Sequence, residues 1–430
     1  MTDRNSKCRT LYIIEALLEY MITLLISGTF LSALLKQIGV SDAITGVVSS
    51  LISLSFCVQI FSGSIPPKNY STRRTIMFFD LVCQFLYSSL YLIPFLPFST
   101  AFKTVVFFLT MLSAQLLQKL AAPSKYRWLM YFVDETQRGT FTSRKEIVSL
   151  FGSMIYTLLM GRMIDHYKYI GKEQIGLLLC AAILFTVTFL NAVTLCLVKD
   201  EPESYRTKTN APVLKEVFVL LCNSRPLRRI ILLDILWKSC IYIFTPYLGT
   251  YLIGDLNYTL SAVSIIAIFH SLARALFSFW LGRLADQKGW VHVITLCMGA
   301  VAAACFICSF LRPETRWLYI VYIILYSFTL AGTDNALTNM TYDYLGDNNF
   351  TIAYGVRNAI SGLLAFLVSL IGSTIVNAVQ ANNNMILSAT VYAQQILASI
   401  AFVLALTAVI YTQTVIKSLP KYSASKNSRA

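Results

Sequence analysis

Twelve long apolar stretches divide this chain, and they restrict its fold more than any other feature. Each is long enough to cross a hydrocarbon core, which needs about 20 helical residues. Only 13% of the residues are charged and 56% are hydrophobic, a composition far from that of a soluble enzyme. We therefore predict an all-α, polytopic membrane protein. The stretches cover approximately residues 10–35, 43–65, 75–97, 102–132, 145–165, 174–198, 229–253, 258–282, 290–311, 316–343, 353–379 and 386–412.

The chain also carries an internal repeat. The order of basic and acidic residues in Arg9–Glu19 returns, with matched spacing but with a lysine at its last position, in Arg228–Lys238, and Gly63 and Gly282 keep the same offset of 219 residues. Duplication at half the chain length is typical of carriers, which bind solutes between two related halves. We expect two pseudo-symmetric six-helix bundles. Their predicted bounds are 1–198 and 229–412, with a cytoplasmic linker at 199–228 and a disordered cytoplasmic tail at 413–430.

The distribution of positive charge predicts the orientation. With an inward N-terminus, 25 of the 35 lysines and arginines fall in cytoplasmic segments and only 7 on the opposite side. This asymmetry follows the positive-inside rule and predicts that both termini lie in the cytoplasm. We expect the protein in the plasma membrane. The positive charges that give the net charge of +14 do not form a basic patch on a soluble domain, so we expect no nucleic-acid partner. An amphipathic part of the linker, about 212–223, either lies on anionic membrane lipids or packs on the helix ends.

No cofactor or metal is expected. Cys305 and Cys308 form a CxxC pair inside an apolar stretch, where cysteine behaves as a small hydrophobe. The three histidines, at 166, 270 and 292, are too scattered for a zinc site. No phosphate-binding glycine loop is present, which excludes ATP as the direct energy source.

Two short segments between apolar stretches resemble a known family. The segment GRLADQKG at 282–289 resembles the Gly-x-Leu-Ala-Asp-x-x-Gly motif of the major facilitator superfamily, and QRGTFTSRKEI at 137–147 looks like an Arg-Gly segment that many members carry between helices four and five. The resemblance implies a gating role for residues of the first motif and a basic partner on the other half. The residues concerned are Gly282, Arg283, Asp286 and Gly289, with Arg144 as the candidate partner of Asp286.

The first half departs from that motif. Its corresponding segment reads GSIPPKNYSTRR from Gly63 to Arg74, so that Pro67 stands where the motif has its acidic residue. One full motif and one eroded motif predict an asymmetric gate.

Charged residues at membrane depth mark the candidate pathway in the first half. Such groups are costly in a bilayer unless they are paired or face water. In the resembled family, helices 1, 4, 7 and 10 line a central cavity. We expect Glu19 of helix 1 to pair with Lys119 or Lys125 of helix 4. Glu15 lies one turn from Glu19, and two neighbouring carboxylates favour proton binding, which suggests a proton-linked Glu19.

The second half has the charges exchanged. We expect Lys238 of helix 7 to pair with Asp334 of helix 10, although Asp234, four residues before Lys238, is an alternative partner. On helix 8, Arg274 either binds a substrate carboxylate or phosphate or bridges to one of the two aspartates. His270 shares its face and is a weak candidate for proton relay.

The leading interpretation is a monomeric, non-enzymatic secondary transporter for a small hydrophilic solute. The ion pairs favour a charged or zwitterionic solute, and protons are the candidate coupling ion. A multidrug-type efflux carrier is an alternative within this class. An intramembrane enzyme would need a cluster of catalytic residues at one membrane face, which the scattered histidines do not supply. A non-transporting sensor on a carrier scaffold is supported only by the eroded motif.

Overall fold

The computed structural model describes residues 2–64, 71–133, 138–200, 214–345, 347–386 and 389–419. These are almost entirely helical, with one two-stranded antiparallel hairpin, β1 (Met385–Ile386) and β2 (Ala389–Thr390). The α-helices are α1 (Thr2–Leu25), α2 (Gly28–Ile38), α3 (Asp42–Ser49), α4 (Leu51–Ser55), α5 (Thr72–Ser89), α6 (Thr100–Met130), α7 (Arg138–Tyr169), α8 (Glu173–Leu197), α9 (Leu214–Asn223), α10 (Arg225–Gly254), α11 (Leu260–Lys288), α12 (Trp290–Cys308), α13 (Leu318–Leu345), α14 (Asp347–Ala381) and α15 (Ala393–Tyr411). Three 3-10 helices, Phe56–Ser64, Leu90–Phe95 and Pro313–Thr315, and a π-helical turn, Thr412–Ile416, complete the set.

The number of membrane spans agrees with the sequence. Among the described residues, eleven helical spans are long and apolar enough to cross a bilayer, and α1 with α2 would make a twelfth. The prediction of an all-α, multi-span membrane protein is confirmed. The first predicted stretch is not straight, because α1 and α2 meet at an angle of 45°. Gly28 has φ +54° at this break, a backbone conformation that glycine adopts without strain.

The described helices form two compact units that differ from the two predicted halves. Unit 1 consists of Met1–Ser41, Phe61–Ala211 and Tyr258–Ile265, and unit 2 of the remaining segments, Asp42–Ile60, Pro212–Asn257 and Ile266–Ala430. The second predicted helix therefore belongs largely to unit 2, and the first turns of the eighth belong to unit 1.

Unit 1 is built around α1, which packs against α7 and α8, while α5 packs against α6 and α8. A hydrophobic cluster that includes the fully buried Trp128 joins the ends of these helices. The start of α11 is held by Asp165 of α7, whose carboxylate accepts hydrogen bonds from the backbone N–H of Leu260 at 3.2 Å and of Ser261 at 2.8 Å. This arrangement places α1, α5 and α6 side by side.

Unit 2 has α10 at its centre, packed against α14 and α15, and α12 packed against α13 and α15. The short helices α3 and α4 lie against α10 and α14. Two glycines allow this close approach. A Cβ on Gly46 would lie 1.9 Å from the ring of Tyr247, and one on Gly362 would lie 2.4 Å from the backbone oxygen of Ser53.

The ends of the second half also differ from the prediction. The amphipathic part of the linker is helix α9, while residues 201–213 lie outside the described part. The last span continues through the π-helical turn to Ile416, which is fully buried. The predicted tail thus begins with ordered residues, and 420–430 fall outside the description. The same holds for 65–70, which include Pro67 of the eroded motif.

Candidate substrate and ion pathway

One buried lysine of unit 1 contacts three carboxylates from two helices. Lys125 of α6 forms ion pairs with Glu15 and Glu19 of α1 and with Asp80 of α5. Its Nζ lies 3.0 Å from Glu19 Oε2 and 2.7 Å from Asp80 Oδ1. We call these four residues the Lys125 cluster. Of the two partners that the sequence offered to Glu19, the structure shows Lys125 in direct contact with it.

The local sequence explains why these side chains meet. Glu15 and Glu19 are four residues apart on α1, so they share one helix face. Because α5 packs against α6, Asp80 of α5 also lies close to Lys125. Asp80 is further held by the side-chain amides of Gln84 at 2.6 Å and Asn191 at 3.2 Å. Its position is therefore fixed by α5 and α8 as well as by Lys125.

Within the cluster, solvent exposure is concentrated on one carboxylate. The side chains of Glu15, Asp80 and Lys125 are 1%, 9% and 8% exposed, whereas that of Glu19 is 28% exposed. They line a cavity of about 190 Å³, enough for roughly six waters at about 30 Å³ each. Glu19 is thus the member of the cluster best placed to exchange a proton with water.

Other polar groups surround Glu19. The amide Nε2 of Gln118 donates to Glu19 Oε1 at 3.1 Å, and Lys119 interacts with Glu19 electrostatically. Lys145 of α7 lines the same cavity and lies over the ring of Tyr12, at 4.9 Å from its centre. Both lysines reduce the negative charge around Glu19, while Lys125 contacts all three carboxylates directly.

A second ionic cluster lies in unit 2. Asp234 of α10, buried at 1% exposure, has Lys238 Nζ at 3.1 Å and Arg357 Nε of α14 at 3.4 Å from its Oδ2. The hydroxyl of Ser361 donates to the same oxygen at 2.7 Å and accepts from Lys238 at 2.7 Å. We call Asp234, Lys238, Arg357 and Ser361 the Asp234 cluster. Two cations share one carboxylate, so its excess charge is positive.

The expected pair of Lys238 with Asp334 is wrong. Lys238 instead contacts Asp234, the alternative partner, one helical turn away on the same helix, where i,i+4 side chains are natural neighbours. Asp334 is exposed and still interacts electrostatically with Lys238, Arg274 and Arg357. Within the described residues, Asp334 makes no direct ion pair.

Arg274 and His270 lie on α11 of unit 2 as the sequence placed them. Arg274 is exposed and, among the described residues, bridges to neither Asp234 nor Asp334. His270 Nδ1 lies 2.6 Å from the hydroxyl of Ser327, and its ring stacks on Tyr326. His270 therefore contributes to the packing of α11 on α13. The exposed guanidinium of Arg274 is accessible to a ligand.

The motif residues fall on helical rather than loop structure. Gly282, Arg283 and Asp286 lie in the last turns of α11, and the chain turns only at Gly289, which has φ +81°. Arg283 lies over the ring of Phe279 at 4.2 Å. Asp286 is exposed in unit 2 and Arg144 is exposed on α7 of unit 1, and their pairing stays a prediction.

Two charged residues of these clusters were missed by sequence reasoning. Asp80 and Arg357 each lie about five residues inside a predicted span, close enough to its end to look like interfacial charges. Both are ionisable residues in the spans Thr72–Phe95 and Ala353–Ala381. The rule that such residues are functional or paired would have identified them.

Comparison with solved structures shows the same fold in several transporters. A mutant of the nucleoside transporter NupG matches with a TM-score of 0.76 at 12% identity, over 94% of this chain and 99% of the other. A D-xylose–proton symporter matches with a TM-score of 0.70 at 13% identity, over 95% and 97%. An auto-inhibited POT family peptide transporter matches with a TM-score of 0.68 at 12% identity, over 97% and 98%. At such identities the likeness shows the fold.

Sequence comparison gives the family. No curated protein matches the chain. The sequence profile of the Major Facilitator Superfamily matches residues 11–369 and 239–426. Together with the fold, the match means that the chain belongs to the Major Facilitator Superfamily.

Proposed function

We propose that the protein is a secondary active transporter that couples a small, charged or zwitterionic solute to protons by alternating access. We place it, as a monomer, in the plasma membrane with both termini in the cytoplasm. The observation that carries this proposal is the Lys125 cluster, in which one ammonium is shared by three carboxylates from two membrane helices.

The charge balance of that cluster favours cation binding. With all four groups ionised, three carboxylates and one ammonium leave two negative charges in excess, which is costly away from water. Proton binding reduces this excess, and Glu19 is the carboxylate that the cavity water reaches. Lys119, which interacts electrostatically with Glu19, and Lys145, which lines the cavity, reduce the excess negative charge around the cluster.

The solute class follows from unit 2. The exposed guanidinium of Arg274 presents a planar donor fork suited to a carboxylate or phosphate. The exposed carboxylate of Asp334 interacts with it electrostatically and can accept an ammonium group. Opposite charges presented without a direct ion pair between them suit a zwitterion. Tyr242 and Tyr326, which interact with Asp334, add hydroxyl donors for further hydrogen bonds.

Solute-induced proton movement in proteoliposomes tests the proposal. A pH-sensitive dye trapped inside reports protons while a panel of amino acids, short peptides, carboxylates, phosphates, sugars and nucleosides is added outside. We expect at least one zwitterionic or charged solute to move protons. Glu19→Gln should abolish the proton signal while sparing counterflow of the same solute. Glu146→Gln, which removes an exposed carboxylate outside the cluster, is the matched control.

The alternative functions give different results. A sensor would be stabilised by a ligand in a thermal-shift assay without any flux. An efflux carrier of the multidrug type would respond to hydrophobic cations instead of hydrophilic solutes. Undiminished proton movement in Glu19→Gln would contradict the coupling assignment.

A further inference from the structure

A separate polar cavity lies in unit 2, at the end of the unit where α12 begins and the last helix ends. Its volume is about 290 Å³. It shares no residue with the Lys125 cluster or the Asp234 cluster. Among the residues that line it are Lys288, Trp290, His292, Asp343, Gln413 and Lys417.

The cavity lies at the level where four spans begin or end. Trp290–Cys308 begins there, and Leu260–Lys288, Leu318–Thr341 and Ala393–Ile416 end there. Span ends mark the boundary between hydrocarbon and water, where lipid headgroups lie. Trp290 is half-buried at this level, as is usual for an interfacial tryptophan.

Positive charge reaches this cavity from different elements. Lys288 ends α11 and Lys417 follows the π-helical turn, while His292 in the first turn of α12 adds a polar ring. In the part of the chain that the structure describes, Lys288 and Lys417 make no side-chain ion pair or hydrogen bond. Asp343 lines the same cavity and opposes an anion, but the two lysines outweigh it.

The π-helical turn Thr412–Ile416 positions Lys417 at the cavity. The N–H of Lys417 donates to the oxygen of Thr412, five residues earlier, at 3.0 Å. Such a turn holds one extra residue and is frequent at functional sites. Here Ile416 and Leu419 are buried while Lys417 and Gln413 line the cavity. Gln413 Nε2 also donates to Thr295 of α12 at 3.2 Å, which ties the turn to the cavity wall.

Neutral donors complete the lining. Tyr344 is buried at the wall. Its pKa is raised by burial and, to a smaller extent, by the neighbouring Asp343 carboxylate, so its hydroxyl stays protonated at neutral pH. The start of α12 carries no side-chain cap, and the positive end of its helix dipole adds to the attraction for an anion.

We propose that this cavity is a binding site for a phosphate group at the membrane–water boundary, held by Lys288, Lys417, Gln413 and Tyr344. An anionic lipid headgroup and a free phosphate present the same chemistry. The depth of the site favours the lipid. An occupant there would bridge α11, α12, α13 and the last helix and thereby stabilise unit 2.

The test is a titration of purified full-length protein in detergent, with melting temperature as the readout. Phosphatidylglycerol, phosphatidylcholine and inorganic phosphate are compared, with sodium chloride as the ionic-strength control. The variant is Lys288→Gln/Lys417→Gln. The matched control, Lys7→Gln/Lys199→Gln, removes two exposed lysines of unit 1. Since each lysine near an anionic surface contributes roughly a fivefold gain in affinity, the variant should bind phosphatidylglycerol at least tenfold more weakly.

Each outcome decides the proposal. Stabilisation by phosphatidylglycerol that is lost in the variant and kept in the control supports a lipid site. Stabilisation by inorganic phosphate alone, lost in the same variant, supports a phosphate site with a soluble ligand. The proposal is overturned if the variant responds like the wild-type protein, if both double variants lose the response equally, or if neither ligand stabilises the wild-type protein.

Discussion

The carboxylate of Asp80 lies 2.7 Å from the ammonium of Lys125, although the two residues are 45 positions apart in the chain. The contact joins α5 to α6 at a site that α1 also reaches through Glu15 and Glu19. Because one lysine is the shared counter-charge of three carboxylates, the members of the cluster differ in how much stability their removal should cost.

Lys125→Met should be the most destabilising change in this cluster. It leaves three carboxylates without their shared counter-charge, and breaking a buried ion pair in this way costs about 3–5 kcal/mol. Asp80→Asn should cost much less, since Lys125 keeps two carboxylate partners and the excess negative charge falls. Unfolding of the purified variants in detergent measures both. Equal stability of Lys125→Met and wild type would refute the assigned role of Lys125.

In the Asp234 cluster, removal of the acid should cost more stability than removal of a base. Asp234→Asn leaves Lys238 and Arg357 without a carboxylate and should cost about 3–5 kcal/mol. Lys238→Met leaves Asp234 paired with Arg357 and hydrogen-bonded by Ser361, so its cost should be clearly smaller. The same unfolding assay ranks the two. A larger loss in Lys238→Met would mean that Arg357 does not neutralise Asp234.

Gly362 should not tolerate a methyl group. A Cβ there would lie 2.4 Å from the backbone oxygen of Ser53, and a backbone atom cannot rotate away. Gly362→Ala should therefore destabilise the protein by about 1–3 kcal/mol and separate α4 from α14. Gly355→Ala is the control on the same helix, because nothing lies within 4 Å of its added methyl. Cysteine cross-linking between α4 and α14 reports the separation, and similar behaviour of both variants would argue against tight packing at Gly362.

Asp286→Asn should shift the balance between inward-open and outward-open states. The family resemblance assigns this carboxylate to a cytoplasmic gate, and its loss removes the attraction to a basic partner such as Arg144. Accessibility labelling of single cysteines on both membrane sides measures the shift, with Glu146→Gln as the control for an exposed carboxylate outside the motif. An unchanged labelling pattern would show that Asp286 is only a surface residue.

The fold could be predicted from the sequence because the length and composition of each apolar stretch can be read directly from the chain. Sequence reasoning also gave Lys125 as one of two candidate partners of Glu19, since charges so deep in their helices are expected to be paired. Sequence reasoning could not predict contacts between residues that are far apart in the chain. Asp80 reaches Lys125 only because α5 packs on α6, and no spacing rule connects the two positions.

Competition between partners explains the error at Lys238. Depth matching favoured Asp334, but Asp234 lies one turn away and Arg357 and Ser361 complete its surroundings. The division into two sequential halves also did not anticipate that Asp42–Ile60 belongs to unit 2 and Tyr258–Ile265 to unit 1. Gly46 and Gly362 allow α3 and α4 to pack on α10 and α14, and small residues that permit such contacts give no periodic signal.

The 3-10 helix at Phe56–Ser64 contains the point, between Ile60 and Phe61, where the chain passes from unit 2 into unit 1. Its i→i+3 hydrogen bonds are weaker than those of an α-helix, and such a stretch often marks a hinge. Any change in the relation between the two units must be absorbed by backbone torsions at the few such crossings. At the crossing between Ile265 and Ile266, by contrast, bending would break the α-helical hydrogen bonds of α11.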